Sequence, residues 1–222
     1  MSISIEYICF ICIMIPLIMM TITMTGKSRL LIGSMTLGVF VSLFCSEISG
    51  AIIRSTGLSN MYYITTTVTP LVEETLKALP VLMYAFMISD KRETLLSMAF
   101  GIGVGFAVLE NIVILLRAVM DAPETVSYLW AFVRGFGSGL MHAVTTMMIG
   151  IGISLVKKNA KLIIPGIFAM FVMASIYHGI YNSLVQTDLK YWGFVLPLFT
   201  YLAIVPLTFK GRIGNKKRVE AS

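Results

Sequence analysis

The sequence is short of charge. Asp, Glu, Lys and Arg make up 13% of its 222 residues, against roughly 25% in an ordinary soluble domain. Hydrophobic residues make up 57%, and the mean hydropathy is +0.89. A soluble core of this size could not bury that much apolar surface. The same wealth of aliphatic and aromatic side chains excludes a disordered chain. Cysteine is scarce, and three residues give no disulfide framework. Cys9 and Cys12 have C-x-x-C spacing, but both fall in the first apolar run and, like Cys45, read as packing or lipid-facing residues. Histidine occurs only twice. The net charge of +6 and pI near 9.3 do not indicate nucleic acid. The basic residues sit between apolar runs and at the C-terminus, where they set membrane orientation.

What the chain does have is long apolar runs. Seven are legible, at approximately 3–25, 30–53, 62–88, 94–117, 127–156, 160–186 and 190–209. Each holds about the 20 residues that span a bilayer as a helix. A membrane β-barrel would instead need short alternating segments. The first run exceeds a signal-peptide core and lacks a basic segment before it, so it reads as a retained helix. Short connections make neighbouring helices antiparallel members of one bundle. The expected architecture is therefore all-α, a polytopic transmembrane bundle of about seven helices forming one integral-membrane domain over 1–222.

Lys and Arg orient it. One side collects Lys27, Arg29, Lys91, Arg92, Lys157, Lys158, Lys161, Lys210, Arg212, Lys216, Lys217 and Arg218; the other has Arg54, Arg117 and Lys190. This bias predicts a cytoplasmic C-terminus and an outer N-terminus. The Lys216-Lys217-Arg218 run would meet lipid headgroups.

An ionisable side chain within a membrane helix is costly and marks a functional site by default. The third run holds Glu73, Glu74 and Lys77, the fourth Glu110, the fifth Arg134 and His142, the sixth His178, and the second Glu47. Lys77 is four residues from Glu73 and three from Glu74, so either carboxylate can reach it. One lysine cannot neutralise both, and the surplus carboxylate needs a proton, another cation or a metal. Gly101 and Gly105 make a small-xxx-small pattern for close helix approach, and Gly135, Gly137 and Gly139 precede His142. His178 and Asn182 share a face one turn apart. Ser138 lacks a nucleophile-elbow setting. Two histidines and a glutamate form a ligand set for catalytic zinc, with a further glutamate as general base. Counted from the outer helix ends at about 1.5 Å per residue, Glu110 lies ~10 Å deep, His178 ~12 Å and Glu73 and Glu74 ~18 Å. Together with His142 they can meet at one level.

The order E-E-x-x-K, F-x-x-x-E-N, His with Gly eight residues on, and H-x-x-Y-N resembles the PrsW family of intramembrane proteases. These motifs are Glu73/Glu74/Lys77, Phe106/Glu110/Asn111, His142/Gly150 and His178/Tyr181/Asn182, covering residues 73 to 182. The resemblance implies a multi-pass membrane metallopeptidase of a prokaryotic cell membrane. Its substrate would be a single-pass membrane protein, such as an anti-sigma factor, cut near the extracytoplasmic side. The related CAAX prenyl proteases carry His where Glu110 stands, which argues against prenyl-protein processing. No H-E-x-x-H, no Asp within an apolar run and no G-x-S-G is present, which excludes the other intramembrane protease classes.

On this reading Glu110, His142 and His178 bind Zn²⁺, and Glu73 or Glu74 is the general base. Asn182 donates to the oxyanion or to a ligand, while Lys77 and Asn111 support. A carboxylate of the Glu73–Glu74 pair in place of Glu110 as ligand, and metal-free activation of water by Glu73 and a histidine, remain open. So do two other classes: a proton- or ion-coupled transporter using the same cluster, and a non-catalytic membrane binding protein. Bound zinc together with hydrolysis of a single-pass substrate separates them. Glu47 and Arg134 have no role in this scheme beyond pairing with each other or lining a water cavity.

Overall fold

A computed structural model of the chain describes residues 5–89, 91–157 and 159–204. Lys158 and the C-terminal Lys210, Arg212, Lys216, Lys217 and Arg218 lie outside the described residues, as do the outer ends of the first and last apolar runs. Among the described residues the chain is helical, with no strand. Helix α1 is Ile5–Thr23 and α2 is Gly26–Thr56. Helix α3 runs from 61 to 87 as Met61–Tyr63, a π-helical segment Ile64–Val68, and Thr69–Met87. Then come α4 Arg92–Asp121, α5 Tyr128–Val156 and α6 Ala160–Val185. A short turn, Lys190–Trp192, leads into α7, helical over 195–204.

Each apolar run of the sequence thus contains one helix. Four of them, α2, α4, α5 and α6, are long and apolar enough to cross a membrane. Helix α3 misses that standard because it carries Glu73, Glu74 and Lys77. Large apolar side chains such as Met83, Met87, Ile164 and Phe168 project outward, as a lipid surround requires. Local signals punctuate the chain. Asn60, Ser127 and Asn159 cap α3, α5 and α6 by accepting backbone N–H bonds. Gly57 ends α2 in the left-handed region at φ 66°.

Lipid offers no hydrophobic drive for helices to associate, so close packing and polar contacts must hold the bundle. Helix α4 is at its centre. Gly101 and Gly105 face α2, where a Cβ would press on Ser34 and Leu31 or on the backbone of Met35. Gly103, about 200° round the same helix, faces α5, where a Cβ would collide with the backbone of His142 and Ala143. The approach to His142 therefore comes from a glycine on the partner helix. Of the glycines before His142 only Gly137 is closely packed, where a Cβ would stand 3.0 Å from Tyr181 Oη; a Cβ at Gly135 or Gly139 would meet nothing within 4 Å. We expect Gly103→Val to destabilise the bundle by about 1–3 kcal/mol through overpacking, and Gly139→Ala to be near neutral. Unfolding of both in detergent measures the difference.

The bundle is divided by level. Val81, Ala85, Leu95, Ala99, Ile102, Val144, Ile149 and Ile153 form an apolar core toward one face. Buried polar side chains of the same helices gather on the other side of it, one to three turns along.

Candidate metal centre

The polar level begins with an irregularity in α3. In the π segment the N–H of Thr69 returns to Ile64 O, so it does not serve Thr65 O. The donor five residues on would be Pro70, which has no N–H. Thr65 O instead accepts from Asn182 Nδ2 of α6 at 2.9 Å, and from Thr69 Oγ1 at 3.4 Å. Two side-chain bonds reinforce the join: Tyr62 Oη with Ser183 Oγ at 2.7 Å, and Thr65 Oγ1 to Gln186 at 3.2 Å. Gly179 brings α6 against Thr66 O. A π turn beside a functional site is a recurring device. Here it locks the register of α3 against α6 two turns from Glu73 and one turn from His178.

Within that frame the buried charges form a connected set. Lys77 Nζ donates to Glu74 Oε1 at 2.6 Å, with both side chains at 0% exposure. It also lies 3.0 Å from His142 Nδ1 and 3.4 Å from Thr145 Oγ1. Glu74 Oε1 lies 2.8 Å from His178 Nδ1. Glu74 is therefore the neutralised carboxylate of the pair, and Glu73 is the surplus one. Glu73 Oε2 is buried without a hydrogen-bond partner, 3.8 Å from His178 Nε2. The two imidazoles meet edge to face, with centroids 5.0 Å apart. Phe106 closes over them, its ring 4.8 Å from His142 and 4.9 Å from Lys77 Nζ.

Glu110 completes the set from α4. Its Oε2 lies 2.7 Å from His142 Nε2 and accepts from Ser138 Oγ at 3.5 Å, while Arg134 stands 3.6 Å from Oε1. Arg134, Ser138 and His142 are spaced four apart on α5 and all reach this one carboxylate. That i, i+4, i+8 ladder was in the sequence and would have found the role of Arg134. Thr145, three residues after His142, could have been found the same way.

Among the described residues, Glu73, His142 and His178 form the group of three whose ligand atoms lie within 4.8 Å of one another. Two imidazoles and one carboxylate make a three-donor set of the kind that leaves a position open on a catalytic metal. The orphaned Glu73 oxygen suits a cation. Glu74 on the far nitrogen of His178 is the outer-sphere partner that fixes such a ligand. The donor set therefore fits a metal. Asn182 is engaged with Thr65 O through its amide nitrogen. Asn111 follows Glu110 by one residue, hence on another face, and its buried Oδ1 has no partner. Gly150 faces Ala99 in the apolar core, where a Cβ at the glycine would stand 3.3 Å from the Ala99 Cβ. Glu47 accepts from Tyr7 Oη at 2.7 Å; no pair with Arg134 is found among the described residues.

A cavity of about 710 Å³ reaches this cluster. Glu73, Glu110, Arg134 and Asn182 line its deep part, and Glu47, Arg54 and Arg117 are also in its wall. It lies on the side where α2, α4 and α6 end, opposite the apolar core. Water and a peptide segment thus have a way into the bundle, past apolar and charged side chains.

No curated protein and no solved structure matches the chain. The family model for PrsW family intramembrane metalloproteases matches residues 26–209, from the start of α2 through α7. That span holds every element around the Glu73, His142 and His178 cluster, and the chain belongs to the PrsW family of intramembrane metalloproteases.

Proposed function

We propose that this membrane peptidase is a zinc-dependent endopeptidase of one domain, acting on a single-pass membrane protein, such as an anti-sigma factor, in a prokaryotic cell membrane. The cut falls near the extracytoplasmic side. The charge bias of the sequence supports that side, since the cavity opens toward the face with few Lys and Arg. The same bias supports an outer N-terminus and a cytoplasmic C-terminus.

The observation that carries the reading is the clustering of His142, His178 and Glu73, whose Oε2 has no hydrogen-bond partner, where a cavity reaches Glu73. These three would hold the metal, which when bound supplies Lewis-acid polarisation of the scissile carbonyl and of water. The geometry favours a division of labour different from one with Glu110 as ligand. Glu74 orients His178 through Nδ1, and Lys77 anchors Glu74 and His142 together. Glu110 faces the cavity within reach of its water, and takes the proton that the attacking water loses. It then returns that proton to the leaving amine. Arg134 and Ser138 hold the Glu110 carboxylate in place. Asn182 acts through Thr65, keeping α6 and His178 at the right height against α3.

Metal analysis of single variants in the purified protein tests this division. Glu73→Gln is expected to lose both metal and activity. Glu110→Gln should keep its metal and lose about 10²- to 10⁴-fold in rate, the usual contribution of a general base. Full metal in Glu73→Gln, with loss of metal in Glu110→Gln, would reverse the two roles.

A further inference from the structure

Helix α6 turns one stripe of its surface to α3. At 100° per residue, Ser175, Gly179 and Asn182 fall within about 60° of one another. Gly179 lies against Thr66 O, and Asn182 bonds Thr65 O. The two helices run antiparallel, since His178, further in along α6, meets Glu74, further in along α3. Ala174 and Ala78, deeper still on the two helices, are both in the apolar core. Ser175 therefore sits on the α3 side of α6, within about a turn of Glu74 in height.

Two buried oxygens at this level have no hydrogen-bond partner among the described residues. They are Ser175 Oγ, in a residue 7% exposed, and Glu74 Oε2, in a residue at 0%. Ser34, Thr36, Thr75 and Thr200 each give their hydroxyl to the carbonyl four residues back, a common helical habit. Ser175 does not, which leaves its hydroxyl for the α3 interface. The Glu74 carboxylate is lopsided. Its Oε1 accepts from Lys77 at 2.6 Å and lies 2.8 Å from His178 Nδ1, while Oε2 has nothing. The last torsion of a glutamate is broad, so a donor at Oε2 is what would stop the carboxylate from turning Oε1 away from His178.

We propose that Ser175 is a positioning residue for the metal centre, joined through one buried water to Glu74 Oε2. The water donates to the carboxylate and accepts from the serine hydroxyl, which satisfies both oxygens with the two to four partners a buried water needs. An unsatisfied buried oxygen costs about 1–3 kcal/mol, so the bridge is worth forming. It fixes the plane of the carboxylate, and the carboxylate fixes His178. Outer partners of this kind hold a metal-binding imidazole in orientation. The inference rests on the metal-centre reading above and adds a residue that no motif of the sequence singled out.

The test compares Ser175→Thr with Ser175→Val in the full chain, because these two side chains share a shape and differ by one hydroxyl. Zinc affinity is read by competition with a chelator, and kcat and KM on a single-pass reporter in proteoliposomes. Ser175→Thr should match the parent. Ser175→Val should bind zinc about tenfold more weakly, the lower end of what losing an outer partner costs. Its KM for the reporter should be unchanged, and excess zinc should restore its kcat. Equal zinc affinity in the two variants overturns the proposal. So does a loss of activity in Ser175→Val that excess zinc does not restore, because the residue would then act by packing alone. Glu73→Gln run alongside keeps the two readings apart. A Glu73→Gln protein that holds zinc as tightly as the parent overturns the metal centre itself. Loss of zinc in Glu73→Gln, with equal affinity in the two Ser175 variants, overturns only the role of Ser175.

Discussion

His178→Ala is expected to abolish proteolysis while the protein still inserts in the membrane. The side chain is 1% exposed and lies between Glu74 at Nδ1 and Glu73 near Nε2. Its loss removes one of the three proposed donors and also the anchor that holds Glu74 to α6. A catalytic metal contributes several kcal/mol to the barrier, and about 1.4 kcal/mol is a factor of ten, so the rate should fall at least about a thousandfold. Cleavage of a reporter in proteoliposomes, with metal content measured on the same sample, reads both effects. Glu74→Gln makes the useful contrast. It keeps all three proposed ligands and loses only the carboxylate behind His178, so metal affinity should drop by about 10- to 100-fold rather than vanish. Full activity in His178→Ala would remove the proposed site altogether.

Lys77→Met should give the largest loss of stability in the chain. Lys77 and Glu74 are both at 0% exposure and 2.6 Å apart. Removing the ammonium leaves a buried carboxylate unpaired and takes a link from His142 and Thr145 as well. Breaking such a pair from one side costs about 3–5 kcal/mol. The double variant Lys77→Met/Glu74→Met removes both charges and should recover most of that loss, because apolar replacements of a buried ion pair are often neutral. Unfolding in detergent of the two single variants and the double closes the cycle. A Lys77→Met protein as stable as the parent would show that the ammonium's contacts with Glu74 and with His142 and Thr145 of α5 do not hold the bundle together at this level.

Much of this was legible beforehand. Low charge and long apolar runs identified a helical membrane protein, and the few buried polar residues stood out because so little else could explain them. Glu73, Glu74, Glu110, His142 and His178 were all readable as candidates. The choice between Glu73 and Glu74 was not, because i+3 and i+4 are both within a lysine's reach on a helix. Packing decided it by turning Glu74 toward Lys77 and His178. The glycines divided in the same way. Gly101 and Gly105 declared a packing face by their spacing. Gly103, which brings α4 against His142, looked like part of the same run until α5 was set opposite it. Asn182 read as an oxyanion donor because it shares a face with His178. Its amide is engaged with Thr65 O, a carbonyl left without a backbone donor by a π turn that meets Pro70, and that link spans 117 positions of sequence.

The sequence by itself determined the membrane setting, the helices and the short list of side chains able to do chemistry, because these follow from composition and from contacts within a turn or two. Tertiary structure alone decided which carboxylate is paired, that Arg134 attends Glu110, and that three arginines share one cavity with the site. Those outcomes depend on the rotation and height of each helix against its neighbours. Glycine contacts and polar bonds between residues far apart in the chain set both, and no local periodicity encodes them.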